Sequence, residues 1–337
     1  NYSSDIDLIC LFDETQFEPD TYHDVRAAFI RVTRRMAAML SDVKEGGYVF
    51  RTDLRLRPDA SVTPVCLSME AAERYYESVG RTWERAAYIK ARTCAGDKAA
   101  GDRFLKTLRP FVWRKHLDFA AIQDAHDMRL KIRDHKGLGG PISLEGHNMK
   151  LGRGGIREIE FFTQTRQLIA GGRDKSLRVR RTDQGLAHLS KAGWIADETA
   201  KTLYAHYAAF REVEHRLQMI NDAQTHDLPK DTAGFERLAS LMGEDVGRLR
   251  ENLKARLSEV HELTEGFFAP EPSAPVKYGW GSDVIERWHS YPALRSARAT
   301  EIFDRLTPEI VERLKDAAKP DEALAQFDQF LANLPAG

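Results

Sequence analysis

The sequence predicts an α+β chain, with a small sheet-bearing N-terminal part followed by a mostly helical bundle. Two runs near the N-terminus, SSDIDLICLF (residues 3–12) and YVFRTDLRLRP (residues 48–58), alternate as strands do. Beyond Gly171-Gly172, apolar residues recur at helical spacing, as in Leu203, Tyr207, Phe210, Val213, Leu217 and Ile220. The Pro-, Gly- and Ser-rich stretch FFAPEPSAPVKYGWGSD then precedes a last set of short helical patterns over residues 284–334. The expected division is a sheet-bearing domain over 1–170, a bundle over 171–268, a linker over 269–283 and a helical region over 284–337.

The first run puts Asp5, Asp7, Ile9 and Leu11 on one face of a strand and turns Ile6, Leu8, Cys10 and Phe12 inward. Adjacent carboxylates on one face repel unless a cation lies between them. Magnesium favours such oxygen-rich settings, most of all when substrate phosphates complete its shell. In the second run Asp53 shares a face with Val49, Arg51, Arg55 and Arg57. An acid among guanidiniums suits a metal-bound phosphate, the acid holding the ion and Arg55 and Arg57 meeting phosphate oxygens. From chemistry alone, a solvated acidic edge and an exposed sheet face laced with ion pairs fit the same residues.

Between the two runs a helix is predicted through Val25, Phe29, Val32, Met36 and Leu40, ending at Gly46-Gly47. Turns at Pro58-Asp59 and residues 61–64 lead to a short third strand, VCLS, and Ser68 with Ala71 opens a helix carrying Tyr75, Tyr76 and Val79. Residues 81–96 form a helix with Trp83, Ala87, Ile89 and Ala91 toward the core. Residues 104–117 form another, broken or kinked at Pro110, with Phe111 and Trp113 inside. A short strand over 148–151 runs into Gly152-Arg153-Gly154-Gly155 and a helix starting near Ile156. Strand, glycine turn and helix N-terminus suit an anion held by Gly154 and Gly155 with Lys150 and Arg153, although packing glycines leave the same pattern. Ile156, Ile159 and Phe162 have core spacing, whereas Glu158 and Glu160 point apart, so that at most one faces a site. Leu249, Leu253, Leu257, Val260 and Leu263 mark a further helix.

With 50 basic and 51 acidic residues, no global field draws the chain to nucleic acid. Cys10, Cys66 and Cys94 are scattered, as expected of thiols in a reducing cytoplasm. No apolar stretch approaches membrane-spanning length, and the expectation is a cytoplasmic protein without a membrane partner. There is no Ser-His-Asp or Cys-His constellation, and His215 has no H-x-x-x-H partner for a metal.

The acid-bearing runs resemble the DNA-polymerase-β-like nucleotidyltransferase superfamily, with its D-h-D strand and a third acid on a later strand. More closely, SSDIDLI, FRTDLRLRPDAS, GRTWERAAYIKARTCAGD, LRPFVWRKHLDF, MKLGRGGIREIEFFTQTRQLIAGG and EHRLQMINDAQTHDLP follow in order the pattern of the glutamine synthetase adenylyltransferase/adenylyl-removing enzyme family. That resemblance implies catalytic, metal-binding Asp5, Asp7 and Asp53 with Mg2+ or Mn2+. It implies contacts to phosphate and adenine nucleotide from Lys90 and Arg92, which fit a solvated cationic face equally well. Ser3 and Ser4 either donate to a phosphate or only enter the strand. Superfamily members carry a phosphate-cradling Gly-Gly or Gly-Ser turn about ten residues before the D-h-D, so the chain is expected to begin inside a longer protein.

Family members join two related units. YIKAR, RPFVWRKHLDF and GGIREIEF follow the first-unit wording, whereas the second unit reads closer to L-T-R-A-R and G-G-L-V-D-I-E-F. The resemblance therefore implies the adenylyl-removing half. Its reaction is phosphorolysis of the adenylyl-tyrosine of glutamine synthetase by inorganic phosphate, giving ADP, under control of the PII signalling protein. The adenylylating unit, a non-catalytic scaffold for glutamine synthetase or PII, and another small-substrate nucleotidyltransferase are the alternatives.

Overall fold

The computed structural model describes residues 3–115, 140–220, 222–268, 280–294, 303, 306–307 and 310–334. Four short strands occur among them: β1 (Ile6–Asp7), β2 (Cys10–Phe12), β3 (Thr52–Asp53) and β4 (Cys66–Ser68). The expected single strand over 3–12 breaks at Leu8-Ile9, because its halves have different partners. β1 pairs with β3 and β2 with β4, both in parallel, so the described ladders are not the mixed sheet expected. Parallel pairing requires a crossover, and α1 (Tyr22–Ser41) supplies it.

Phe29 of α1 stacks on Phe12 of β2 at 5.1 Å between ring centroids. The helix turns slightly from its predicted stripe: Val32 is 62% exposed, and the neighbouring Thr33 is buried instead. At its C-terminal end the Leu40 carbonyl accepts from the N–H groups of Val49 and Phe50, and Ser41 Oγ lies 2.6 Å from Thr52 Oγ1. These bonds bring β3 back beside β1.

α2 (Met69–Ser78) is capped as expected, Ser68 Oγ accepting from the Ala71 N–H at 3.2 Å. α3 (Thr82–Ile89) is shorter than its pattern and stops at Lys90, and Trp83 is 36% exposed. Asp97 then caps α4 (Lys98–Thr107), and Pro110 sits in the first turn of α5 (Arg109–Val112), where a missing N–H breaks nothing. Tyr76, Ile89, Phe104, Phe111 and Val112 pack these helices together with Leu168 of α6 (Ile156–Ala170). The C-terminal part of the 104–117 pattern lies partly outside the described residues.

α6 is the inner helix of a bundle with α7 (Thr182–Lys191), α8 (Asp197–Met219), α9 (Thr232–Met242) and α10 (Val246–Phe268). Ile156, Ile159 and Phe162 of α6 share one core with Phe210, Val213 and Leu217 of α8 and Leu253, Leu257 and Val260 of α10. Residues 1–268 form one unit, and α6 belongs physically with the bundle although it precedes residue 171. The strand expected at 148–151 is instead a single antiparallel bridge, Asn148 to Asp227.

The second unit covers 269–337. Most of the predicted linker, 269–279, lies outside the described residues. α11 (Ser282–Arg287) and α12 (Pro320–Ala332) contribute Ile285, Leu324 and Leu331 to a core around the fully buried Trp288. Asp328 accepts from Trp288 Nε1 at 3.1 Å and from the Tyr291 hydroxyl at 2.8 Å. Among the described residues no helix is long and apolar enough to cross a membrane.

Candidate functional site

Two backbone bonds of 2.8 Å, Ile6 N–H to the Arg51 carbonyl and Leu8 N–H to the Asp53 carbonyl, set the register of β1 on β3. That register places Asp7 opposite Asp53. Asp5, two residues before Asp7, keeps to the same side by strand alternation. An open cleft of about 530 Å³ lies here, lined by Asp5, Asp53 and Arg55 and by Ala37, Ala38 and Ser41 of α1. The small α1 side chains leave it room.

The electrostatics follow from the crowding. Asp7 retains accessible surface, but desolvation and then the charges of Asp53 and Asp5 push its carboxyl above the usual range, against the pull of Lys150 and Arg55. Asp53 is held below that range by hydrogen bonds from Arg55. The Arg55 guanidinium grips both Asp53 oxygens, donating to Oδ2 at 2.5 and 2.9 Å and to Oδ1 at 3.0 Å, although its side chain is 82% exposed. An exposed cation thus already compensates one of the three acids while Asp7 stays under-compensated. Clustered oxygens short of positive charge fit a hard divalent ion, and Asp5, Asp7 and Asp53 are the donors that would hold it.

The other expected ligand contacts are distributed differently. Lys150 reaches this site through its field on Asp7. Arg57 instead ties its own loop, donating to the carbonyls of Leu54, Ala60, Thr63 and Pro64. Ser3 is buried, with Arg51 donating to its hydroxyl at 2.5 Å. Ser4 Oγ is buried without a hydrogen-bond partner beside Asp5. Lys90 donates to Glu160 at 3.1 Å and to the Thr182 hydroxyl at 3.2 Å, whereas Arg92 is exposed, its guanidinium 3.5 Å from the Thr93 carbonyl.

The glycine turn is closed by its own chain. The N–H groups of Gly155, Ile156, Arg157 and Glu158 donate to the carbonyls of Gly152, Met149, Lys150 and Gly155, so the donors expected to face an anion are taken. Gly154, at φ +72°, lies against α10, where an added Cβ would stand 1.9 Å from the Leu257 carbonyl oxygen. Close backbone packing is thus a sufficient reason for glycine at both positions. Arg153 is half-buried beside them.

Glu158 and Glu160 are both buried, each among its own partners on a different side of α6. Burial alone would raise the Glu160 carboxyl, but ion pairs with Lys90 and Arg211, at 3.1 and 2.9 Å, hold it below the usual range. Arg211 also pairs with the fully buried Glu214, which Arg211 and His226 bring down to about 2 against its burial. Glu158 lies with His261 and Glu265 of α10, one ligand atom of each within 4.8 Å of the others, a group metal-capable by its donors. The His261/Glu265 spacing of four was visible in the sequence. Their partner a hundred residues upstream was not.

Residues 1–107 match the family model for glutamate-ammonia ligase adenylyltransferase, and residues 126–268 match the model for GlnD PII-uridylyltransferase. Curated relatives from Mesorhizobium japonicum, Agrobacterium fabrum and Rhizobium meliloti are 46%, 45% and 44% identical over 366 aligned positions. Each is named bifunctional glutamine synthetase adenylyltransferase/adenylyl-removing enzyme, and each alignment takes in all of this chain. The chain spans 37% of the length of these relatives. Similarity of that degree along the whole chain, with the acid-bearing strand pair inside the matched region, establishes that the chain belongs to the glutamine synthetase adenylyltransferase/adenylyl-removing enzyme family.

Proposed function

We propose that this chain is the adenylyl-removing unit of a bifunctional enzyme and that its N-terminal part is a polymerase-β-like nucleotidyltransferase domain. The observation that carries the reading is the register of β1 on β3, which sets Asp7 opposite Asp53 and within the field of Asp5, next to a cleft that Asp5 and Asp53 line. The substrates are inorganic phosphate and the adenylyl-tyrosine of glutamine synthetase, in the cytoplasm. PII is the regulatory partner in this reading.

In the reaction an oxygen of hydrogen phosphate bonds to the adenylyl phosphorus as the phosphorus–tyrosyl oxygen bond breaks. The phosphate proton ends on the tyrosyl oxygen, and ADP leaves. A phenol with a pKa of about 10 is a tolerable leaving group, so the barrier lies largely in bringing one anion to another. Mg2+ or Mn2+ held by Asp5, Asp7 and Asp53 would neutralise that charge. The chain's own residues do the rest. Asp53, which Arg55 pairs in this structure, would be one of the residues holding the ion, and the exposed Arg55 guanidinium beside it is placed to meet a phosphate oxygen. Lys150, whose charge already acts on Asp7, is the second cation for the incoming phosphate. Arg57 and Lys90 hold the scaffold in shape.

The direction is supported by the first-unit wording of YIKAR and GGIREIEF, since similar acids serve both directions. Incubated with adenylylated glutamine synthetase, magnesium and phosphate, the protein should release ADP. With unmodified glutamine synthetase and ATP it should transfer little AMP. Efficient ATP-dependent adenylylation by this unit would reverse the direction and leave the acidic site standing.

A further inference from the structure

We infer that Gln218 is a positioning residue for the acid-bearing strand. Together with Arg51 it holds Ser3, and so sets where Asp5 and Asp7 stand relative to Asp53 and Lys150. The inference rests on the acidic cleft being the metal site.

Gln218 sits in the last turn of α8 and is fully buried. Its Oε1 accepts from the backbone N–H of Ser3 at 3.0 Å, across 215 residues of sequence. Its Nε2 donates to the Thr225 carbonyl at 3.4 Å. A buried amide persists where both its ends are bonded, whereas an apolar side chain of like volume would serve if filling space were the only need.

The two ends of Gln218 join the entry to β1 with the segment that carries the chain around Lys150. The first contact is at Ser3, two residues before Asp5. The second is with the segment that begins at Thr225 and holds the chain around Lys150. Met149 N–H donates to the His226 carbonyl at 2.8 Å, and Leu228 N–H to the His147 carbonyl at 2.8 Å. Asn148 donates to Asp227 at 2.6 Å and accepts from the Lys150 N–H at 3.1 Å.

Arg51 closes the arrangement from β3. Its guanidinium donates to the Ser3 hydroxyl at 2.5 Å, to the Ser3 carbonyl at 3.1 Å and to the Asp222 carbonyl at 3.4 Å. The residue that leads into Asp53 therefore grips the residue that leads into Asp5. β1 and β3 are two residues long each, so the register made by their two backbone bonds is a short one that gains from support outside the ladder. Ser3 is the point at which the bundle supplies that support.

The test is Mn2+ binding, followed by electron paramagnetic resonance, in Gln218→Leu and Arg51→Met variants of the protein. Asp7→Asn serves as the site control and Leu217→Ala as the control for loss of α8 packing. A dissociation constant is read on folded molecules, so simple destabilisation leaves it unmoved. Outer residues that orient metal ligands typically change affinity about 10–100-fold, and a weakening in that range is expected for Gln218→Leu and Arg51→Met. Leu217→Ala should bind as the parent does. If Asp7→Asn binds Mn2+ unchanged, the cleft is not the metal site and the reading beneath the inference falls. If Asp7→Asn loses Mn2+ while folded Gln218→Leu and Arg51→Met bind it normally, the positioning role is overturned. Should Gln218→Leu fail to fold, the half-exposed Arg51→Met decides by the same readout.

Discussion

Replacing Asp7 with Asn should abolish metal-dependent nucleotide binding and, at the same time, stabilise the metal-free protein at neutral pH. Both effects come from one observation, a carboxyl pushed above the usual range by desolvation and by Asp53 and Asp5. A group whose folded pKa is raised binds its proton more tightly folded than unfolded. Once ionised, it therefore destabilises the fold. That penalty is fully present above the raised pKa, and it fades as pH falls through that pKa and then through the unfolded value of 3.8. Asn mimics the protonated state, so the variant should melt higher than the parent in chelator at pH 7, with the gap closing in acid. Calorimetry with Mg2+ and adenine nucleotide should show affinity reduced by at least about 100-fold, beyond the range seen for residues that only orient ligands. Unchanged metal-dependent binding would remove Asp7 from the site. A metal-free protein destabilised at neutral pH would contradict the electrostatic account.

Gly154→Ala should be among the most destabilising single substitutions in the bundle. The glycine lies at φ +72°, a region that costs other residues on the order of 1–3 kcal/mol. Its Cβ would stand 1.9 Å from the Leu257 carbonyl oxygen, a backbone atom inside α10 that cannot rotate away. Strain and overpacking together should exceed about 3 kcal/mol in urea unfolding. Gly47→Ala is the control: its φ is +94°, but nothing lies within 4 Å of the added carbon. A Gly154→Ala protein of parental stability would reopen the turn as a place for an anion.

What the sequence disclosed depended on how far away each residue's partner lies. The D-h-D alternation was legible because a strand's period is two, so Asp5 and Asp7 fall together whatever they pair with. The break at Leu8-Ile9 was not, since it follows from β1 and β2 choosing partners more than forty residues onward. The Ser68 cap and the start of α6 are local and were readable. Glu158 and Glu160 looked divergent because spacing reports direction on one helix and nothing of what approaches it. Arg211 from α8 and Thr264 from α10 enclose the two faces. Arg57 carried the composition of a phosphate ligand, and its loop's carbonyls took it. Gln218 offered no signal at all, being one amide in a long amphipathic helix until Ser3 is seen beside it.

In the proposed reaction phosphate attacks the adenylyl group beside Asp5, Asp7 and Asp53. Following radiolabelled inorganic phosphate through one incubation with adenylylated glutamine synthetase and magnesium tests it most directly. Label is expected in the β-phosphate of ADP, released in step with recovery of the unmodified tyrosine and absent with the Asp7→Asn protein. Release of AMP with no label in any nucleotide would mean that water is the nucleophile, and labelled ADP from the Asp7→Asn protein at the parental rate would mean that the reaction takes place elsewhere.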